Sequence, residues 1–284
     1  MHEHPGRPES AEAAAGTPLG VRADARTLIV VPTYDEAPNV AILRQRVRAA
    51  VPGAEMLFID DASPDGTGAR VQEMGRTDPG VRLLSRPRKL GLGTAYLAGF
   101  EVGLAEGFDV VVTMDADLSH DPAHLPELLA ATGTHDLILG SRYVPGGGVE
   151  NWGLHRRLLS RGANHAARLV LRLPVHDVTS GFRAYRTEAL RSLPLGSIRS
   201  SGYSFLEEIT VVAARRGLRI TEIPIVFCDR EGGRSKISAG EIFRAVYHLF
   251  RLRVQPPPTS RPVPRPAPDL AAKRFLAGAD QPER

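Results

Sequence analysis

A chain of 284 residues, 42% of them hydrophobic, is long enough for one large α/β domain or two small ones. Its 36 Lys and Arg against 32 Asp and Glu leave a net charge of +4, with no basic stripe interleaved with aromatics, so a nucleic-acid partner is not expected. Cys228 is the sole cysteine, which excludes an intrachain disulfide and fits a reducing compartment.

Residues 1–26 are rich in Glu, Ala, Gly, Pro and His and lack the apolar stretch of a secretory signal, so a disordered segment is expected. Thr27 to Val31 is a short β-branched run that reads as a buried strand, broken at Pro32-Thr-Tyr-Asp-Glu36 and followed by a helical pattern from Pro38 to Ala50. Glu55 to Ile59 is a second strand, ending in Asp60-Asp61. A turn-rich stretch then leads into a helix over Thr67 to Met74. Val81 to Leu84 is a third strand, Gly91 to Glu106 a helix rich in small residues, and Phe108 to Met114 a fourth strand. A short helix over Pro122 to Ala131 precedes a strand at Asp136 to Leu139.

Strands alternating with helices at roughly 25-residue spacing imply βα units on a mostly parallel sheet covered by helices on both faces. Ligands bind such sheets at the carboxyl ends of the strands. Three predicted strands end in polar or acidic residues, at Pro32 to Glu36, Asp60-Asp61 and Asp115 to Asp117, and parallel strands would bring these ends to one rim.

The second half is less regular. It reads as a long Arg-rich helix over Asn151 to Leu173, a turn and strand over Val178 to Tyr185, and a helix over Phe205 to Arg216 closed by Gly217. Extended segments flank Pro224, a loop covers Glu231 to Lys236, and a last helix runs from Ala239 to Arg253. The folded domain is expected to span 27–254, with a Pro-rich disordered tail over 255–284. No run of about 18 apolar residues occurs, so no transmembrane helix is expected.

Asp115 and Asp117 follow an apolar strand, and carboxylates two residues apart around a turn can face one hard cation such as Mg²⁺ or Mn²⁺. A solvated loop is the alternative. A calcium loop is excluded, because its sixth and twelfth positions hold His120 and Pro126 where Gly and Glu are required. Gly91-Leu-Gly93 lacks the third glycine of a dinucleotide fingerprint, Tyr96 standing there, and reads as a structural loop. His120 and His176 have no partners at zinc spacing, and no Gly-x-Ser-x-Gly elbow is present. Arginine forks suit phosphate oxygens, but Arg157 and Arg234 read as surface charges.

Several motifs occur in order: Pro32-Thr-Tyr-Asp-Glu36, Asp60-Asp-Ala-Ser-Pro-Asp-Gly-Thr67, Lys89-Leu-Gly-Leu-Gly93 and Asp115-Ala-Asp-Leu-Ser-His120. Gly140-Ser-Arg-Tyr143, Thr179-Ser-Gly-Phe-Arg183, Gly202-Tyr-Ser-Phe205 and the segment from Arg230 through Ser235-Lys236 follow. Together they resemble the polyprenyl- or dolichol-phosphate mannosyltransferases, family 2 glycosyltransferases of the GT-A fold, over Thr27 to Arg253.

The resemblance implies transfer of mannose from GDP-mannose to a polyprenyl phosphate. It implies that Pro32, Tyr34, Glu36, Ile59 and Asp61 hold the nucleoside, and that Asp115 and Asp117, with the Ala116 backbone, hold the metal and diphosphate. Arg142, Arg230 and Lys236 would bind the donor phosphates or sugar, and Arg156 and Ser160 the acceptor phosphate. Some members carry Gln where Ser119 stands, which leaves a third metal ligand open.

A phosphate acceptor is already ionised near pH 7, so positioning and charge stabilisation by Asp117, Arg142, Arg156 and Ser160 would suffice for direct, inverting displacement. A UDP-glucose-dependent glucosyltransferase and a non-catalytic nucleotide-sugar-binding subunit are the alternatives. The Gln-x-x-Arg-Trp motif of processive synthases is absent.

On the last predicted helix Ile242, Phe243, Val246, Leu249 and Phe250 share a face flanked by Arg244, Arg251 and Arg253. It reads either as a core-packing helix or as an amphipathic helix facing anionic lipid. A peripheral enzyme at the cytoplasmic face of a membrane is therefore expected, on the lipid itself or on a separate membrane subunit.

Overall fold

The structure, a computed structural model, describes residues 25–198, 200, 202–228 and 249–254. Residues 1–24 and 255–284 of the predicted disordered tails, Arg230, Lys236 and the first part of the last predicted helix lie outside the described residues, whereas Arg26, expected in the disordered segment, is held by Asp109, Glu106 and Glu55.

Seven strands form the central sheet in the order β3-β2-β1-β4-β7-β5-β8. They are β1 (Thr27–Thr33), β2 (Glu55–Asp60), β3 (Val81–Ser85), β4 (Val110–Thr113), β5 (Leu137–Ser141), β7 (Arg183–Arg186) and β8 (Ile220–Pro224). All pairings are parallel except those of β7, which runs antiparallel between β4 and β5. A small parallel pair joins β6 (Gly148–Glu150) to β9 (Val226–Cys228). The mostly parallel α/β architecture expected from the sequence is the one observed.

The strands alternate between two cores, as the two-residue period of a pleated strand requires. Leu28 and Val30 of β1 face one core, and Ile29 and Val31 the other. The second core is closed by α1 (Val40–Ala50), α2 (Thr67–Thr77) and α4 (Leu125–Ala131), through Leu43, Val47, Val71, Met74 and Leu128. The first is closed by α3 (Leu92–Ala105), α6 (Thr187–Ser192) and α7 (Tyr203–Arg215), with Phe100, Leu190 and Phe205 filling it. α5 (Leu154–Leu171) touches this core only by its C-terminal half, through Ala167 and Leu171.

Helix α3 runs close over the sheet because of its small residues. A Cβ on Gly99 would come within 2.3 Å of Val30, and one on Gly103 within 2.4 Å of Val111. These glycines, four apart on one helical face, set the distance between α3 and strands β1 and β4.

Three elements differ from the sequence expectation. Helix α1 begins at Val40 and not Pro38, because Asn39 and Val40 both donate to the Glu36 carbonyl in a preceding turn. Strand β6 has only three residues in a glycine-rich stretch, too short to show alternation, and forms by pairing with β9. Helix α6 is six residues long and held by the burial of Ala189 and Leu190, so it carries little periodic signal. Residues 249–254 are helical, with Leu252 buried and Leu249 packed against the first core, so this end of the last predicted helix packs on the domain.

Gly99→Ala is expected to destabilise the domain by about 1–3 kcal/mol, since the Val30 side chain and α3 must separate. Urea denaturation would read this as a lower midpoint with an unchanged slope.

Candidate active site

Parallel pairing brings the ends of β1, β2 and β4 to one rim. Thr33 is level with Asp60 and Val30 with Thr113, so the chain after β4 emerges beside the end of β1. Three loops meet there and are tied by side-chain caps. Asp35 N–H donates to Ser63 Oγ at 3.1 Å, Glu36 N–H to Thr67 Oγ1 at 2.9 Å, and Ala37 N–H to Asp65 at 2.9 Å. Asp60 accepts from Thr33 Oγ1 and from the Ser63 backbone.

Asp61 is buried and organises the third wall. Its Oδ2 accepts from Leu90 N–H and Gly91 N–H, each at 3.0 Å, while Arg86 pairs with Oδ1. Gly91 has φ +93°, which is why glycine stands at this turn. The Gly91-Leu-Gly93 segment is thus a loop and helix start, as read from the sequence. Tyr34 is exposed on this wall with Lys89 Nζ 3.5 Å from its ring centroid. Pro32, Tyr34, Glu36 and Asp61 therefore gather at one rim. The Ile59 side chain points into the first core, so only its backbone can face a ligand there.

Asp115 and Asp117 stand just past β4. Tyr96 Oη donates to Asp115 Oδ1 at 3.1 Å, and Asp115 N–H donates to His120 Nδ1 at 3.1 Å. Burial, and then the Asp115 charge, push the Tyr96 hydroxyl well above its ordinary pKa, so it stays a donor. Asp117 Oδ1 accepts from Ser119 N–H at 3.0 Å and Ser119 Oγ at 2.5 Å. Ser119 is buried and spends its hydroxyl on aiming Asp117. The Ala116 side chain is buried in the second core, leaving its backbone at the turn between the two carboxylates.

Motif Thr179 to Arg183 supports this pair from below. Thr113 Oγ1 donates to the Gly181 carbonyl at 2.7 Å. A Cβ on Gly181 would lie 3.1 Å from Tyr96 Oη and 3.4 Å from Asp115 Oδ1, so the backbone must approach bare. Arg183 is wholly buried and donates to the Ser180, Val178 and Leu206 carbonyls and to Thr210 Oγ1, locking the motif to α7.

The basic residues form a second cluster, joined to the first by aromatics. His120 stacks on Phe182 and meets Phe227 edge-on, and Phe227 meets Trp152 edge-on. Arg156 lies over Trp152 at 4.1 Å, and Arg142 is 5.3 Å from the Phe227 centroid. Arg142 is held by Asp177 through Nε and Nη2, both at 2.7 Å, and by Thr179. Asp177 is in turn fixed by its own N–H donating to Glu222. Ser160 Oγ and Tyr143 Oη are 2.7 Å apart. Sequence reasoning missed Tyr96, Asp177, Glu222 and Trp152. Only the arrangement of strands brings them to the rim, and His120, dismissed as a zinc ligand, serves as an acceptor for the Asp115 backbone.

Among the described residues no group of three or more His, Cys, Asp or Glu side chains could hold a metal alone. Two half-buried carboxylates at a strand end are an oxygen donor set of the kind Mg²⁺ or Mn²⁺ accepts when substrate phosphates complete the shell.

A profile of the family described as "Glycosyl transferase family 2" matches residues 28–193. The chain belongs to glycosyl transferase family 2. It is 46% identical over 226 residues to the undecaprenyl-phosphate mannosyltransferase of Micrococcus luteus, covering 80% of this chain and 93% of that one. It is 45% identical over 243 residues to the polyprenol monophosphomannose synthase of Mycolicibacterium smegmatis, covering 85% and 92%. Among solved structures, glucosyl-3-phosphoglycerate synthase from Mycobacterium tuberculosis with phosphoglyceric acid superposes with TM-score 0.59 at 20% identity, covering 82% of this chain and 81% of that chain. The same enzyme with Mn²⁺, UDP and glucosyl-3-phosphoglycerate gives TM-score 0.57 at 20% identity, covering 80% and 78%. The fold is thus the GT-A type expected from the motifs, and the protein is a glycosyltransferase.

The loops over the β1–β2 rim depend on Asp65. Burial raises its pKa, but the Thr67 hydroxyl and the Ala37 and Thr67 N–H groups outweigh this and hold the carboxyl below its ordinary range. A depressed carboxylate stabilises the fold above its unfolded pKa, and the gain is lost as pH falls through the folded value. The stability difference between the parent and Asp65→Asn should therefore be constant above about pH 5 and shrink below about pH 4 in pH-dependent denaturation.

Proposed function

We propose that this chain transfers mannose from GDP-mannose to a polyprenyl phosphate, with inversion at the anomeric carbon and with Mg²⁺ or Mn²⁺ bound. The observation that carries this reading is the identity, over nearly their whole length, to two curated enzymes whose names specify a mannosyl group and a polyprenyl phosphate. The rim geometry agrees with it. The tied loops carrying Pro32, Tyr34, Glu36 and Asp61, with the Ile59 backbone, form the nucleoside wall. Asp115 and Asp117, with the Ala116 backbone, would hold the diphosphate and a divalent cation, which would supply charge neutralisation to the leaving diphosphate.

The residues of the chain account for the remainder. Asp177 orients Arg142 and neutralises much of its charge, so Arg142 contributes direction more than net positive potential. Arg156, stacked on Trp152, and Ser160, against Tyr143, stand one helical turn apart on α5 and take the acceptor phosphate. The acceptor oxygen attacks the anomeric carbon while the bond to the diphosphate breaks, and the bonding pair leaves with GDP. The nucleophile is already an anion, so no proton has to be removed. Arg230 and Lys236, outside the described residues, complete the donor site in this reading.

A donor panel tests it: labelled GDP-mannose, UDP-glucose and UDP-GlcNAc with a polyprenyl phosphate and Mg²⁺ or Mn²⁺. The expected result is lipid-linked label from GDP-mannose alone, with Asp117→Ala lowering turnover by roughly 10²-fold or more. Preferential use of UDP-glucose, or no turnover of any donor, would replace this reading with a glucosyltransferase or a silent binding subunit.

A further inference from the structure

Trp152 is the only tryptophan of the chain, and its ring stands against two arginines of the rim. It follows the short strand β6 after a bend at Asn151, whose φ of +60° lies in the left-handed region that asparagine tolerates. The pairing of Val149 with Phe227 brings β9 alongside, and the Phe227 ring meets the indole at 5.7 Å and 70°. Phe227 also meets His120 at 5.7 Å and 74°, and His120 accepts the Asp115 N–H. A file of rings thus runs from the acidic pair to Arg156.

The nearer of the two guanidiniums is that of Arg156, 4.1 Å from the indole centroid, with Arg142 at 5.8 Å. Arg142 is also held by Asp177, which engages Nε and Nη2 and offsets the charge. A ring acts differently on a guanidinium. It covers the flat face, leaves the in-plane N–H donors for oxygen acceptors, and leaves the charge intact. It also restrains a long side chain before any ligand arrives. Both effects favour a phosphate, which takes its hydrogen bonds from the edge of the fork.

The indole supplies its π face here and not its N–H. Trp152 Nε1 is buried and has no hydrogen-bond partner among the described residues. A buried tryptophan kept for its donor finds an acceptor. We propose that Trp152 is a positioning residue for the acceptor phosphate, its ring holding Arg156 in the orientation in which the guanidinium edge meets that phosphate. The inference rests on the proposed function in one respect, that Arg156 meets an acceptor phosphate.

Calorimetric titration of the full chain with farnesyl phosphate tests it, because equilibrium binding needs neither donor nor turnover. Trp152→Leu should weaken binding about tenfold, and Trp152→Phe, which keeps an aromatic face, about threefold or less. Arg156→Gln should cost about tenfold in the parent but less than about twofold in Trp152→Leu, because residues that act as one unit are not additive. Affinity for GDP with Mn²⁺ should be the same in the parent and Trp152→Leu, which a general loss of structure would not leave intact. If Trp152→Leu does not fold, the emission of Trp152 decides. Saturating farnesyl phosphate should shift it in the parent and leave it unshifted in Arg156→Gln. Additive losses, parent-like binding by Trp152→Leu, or an emission untouched by bound farnesyl phosphate would overturn the positioning role and leave the mannosyl-transfer reading standing. A parent that binds no farnesyl phosphate would overturn both, and preference for UDP-glucose in the donor panel would overturn that reading alone.

Discussion

The site depends on the fixed position of the end of β4. That strand is clamped between β1 in parallel and β7 in antiparallel register, and its last side chain, Thr113, is hydrogen-bonded across to Gly181. The backbone of Met114 donates to Val30 and that of Asp115 to His120, so two successive N–H groups are committed before the acidic pair is reached. The carboxylates then need little further restraint, and Tyr96 and Ser119 supply it. Holding two like charges close together is unfavourable in itself. Rigid hydrogen-bonded scaffolding, set up as the sheet folds, meets that cost ahead of ligand binding.

The same logic governs the basic side of the rim. A buried guanidinium is costly unless its donors are satisfied, and the protein solves this in two ways. Arg183 has only carbonyl and hydroxyl partners and serves the architecture, locking the strand that supports Asp115. Arg142 is matched to a wholly buried carboxylate, Asp177, which fixes its direction at the expense of its net charge. Cationic residues near a phosphate site are therefore unequal in effect, and their pairing distinguishes them more than their number.

Much of this was legible in the sequence because the relevant signals are local. Continuous apolar runs marked β1, β2 and β4, and the acidic residues at their ends marked the rim, since a parallel sheet places such ends together. What stayed hidden depends on distant contacts. Strand β6 exists only through its pairing with β9, and the antiparallel entry of β7 has no signature in its own four residues. Tyr96 looked like a failed glycine of a nucleotide loop, yet its hydroxyl reaches Asp115 from α3. The outward face of α5 escaped notice for a different reason. Its leucines suggest a core helix until burial shows Leu154, Leu158, Leu159 and Leu169 exposed and Asn164, Ala167 and Leu171 packed inward.

The central claim is that Asp115 and Asp117 form half a metal site that the donor diphosphate completes. Electron paramagnetic resonance of Mn²⁺ with the full chain addresses it without requiring turnover. Protein alone should bind Mn²⁺ weakly. Adding GDP-mannose should produce a tightly bound signal, and that signal should be lost in Asp117→Asn. Tight Mn²⁺ binding without nucleotide, or a ternary signal unchanged by Asp117→Asn, would contradict the account.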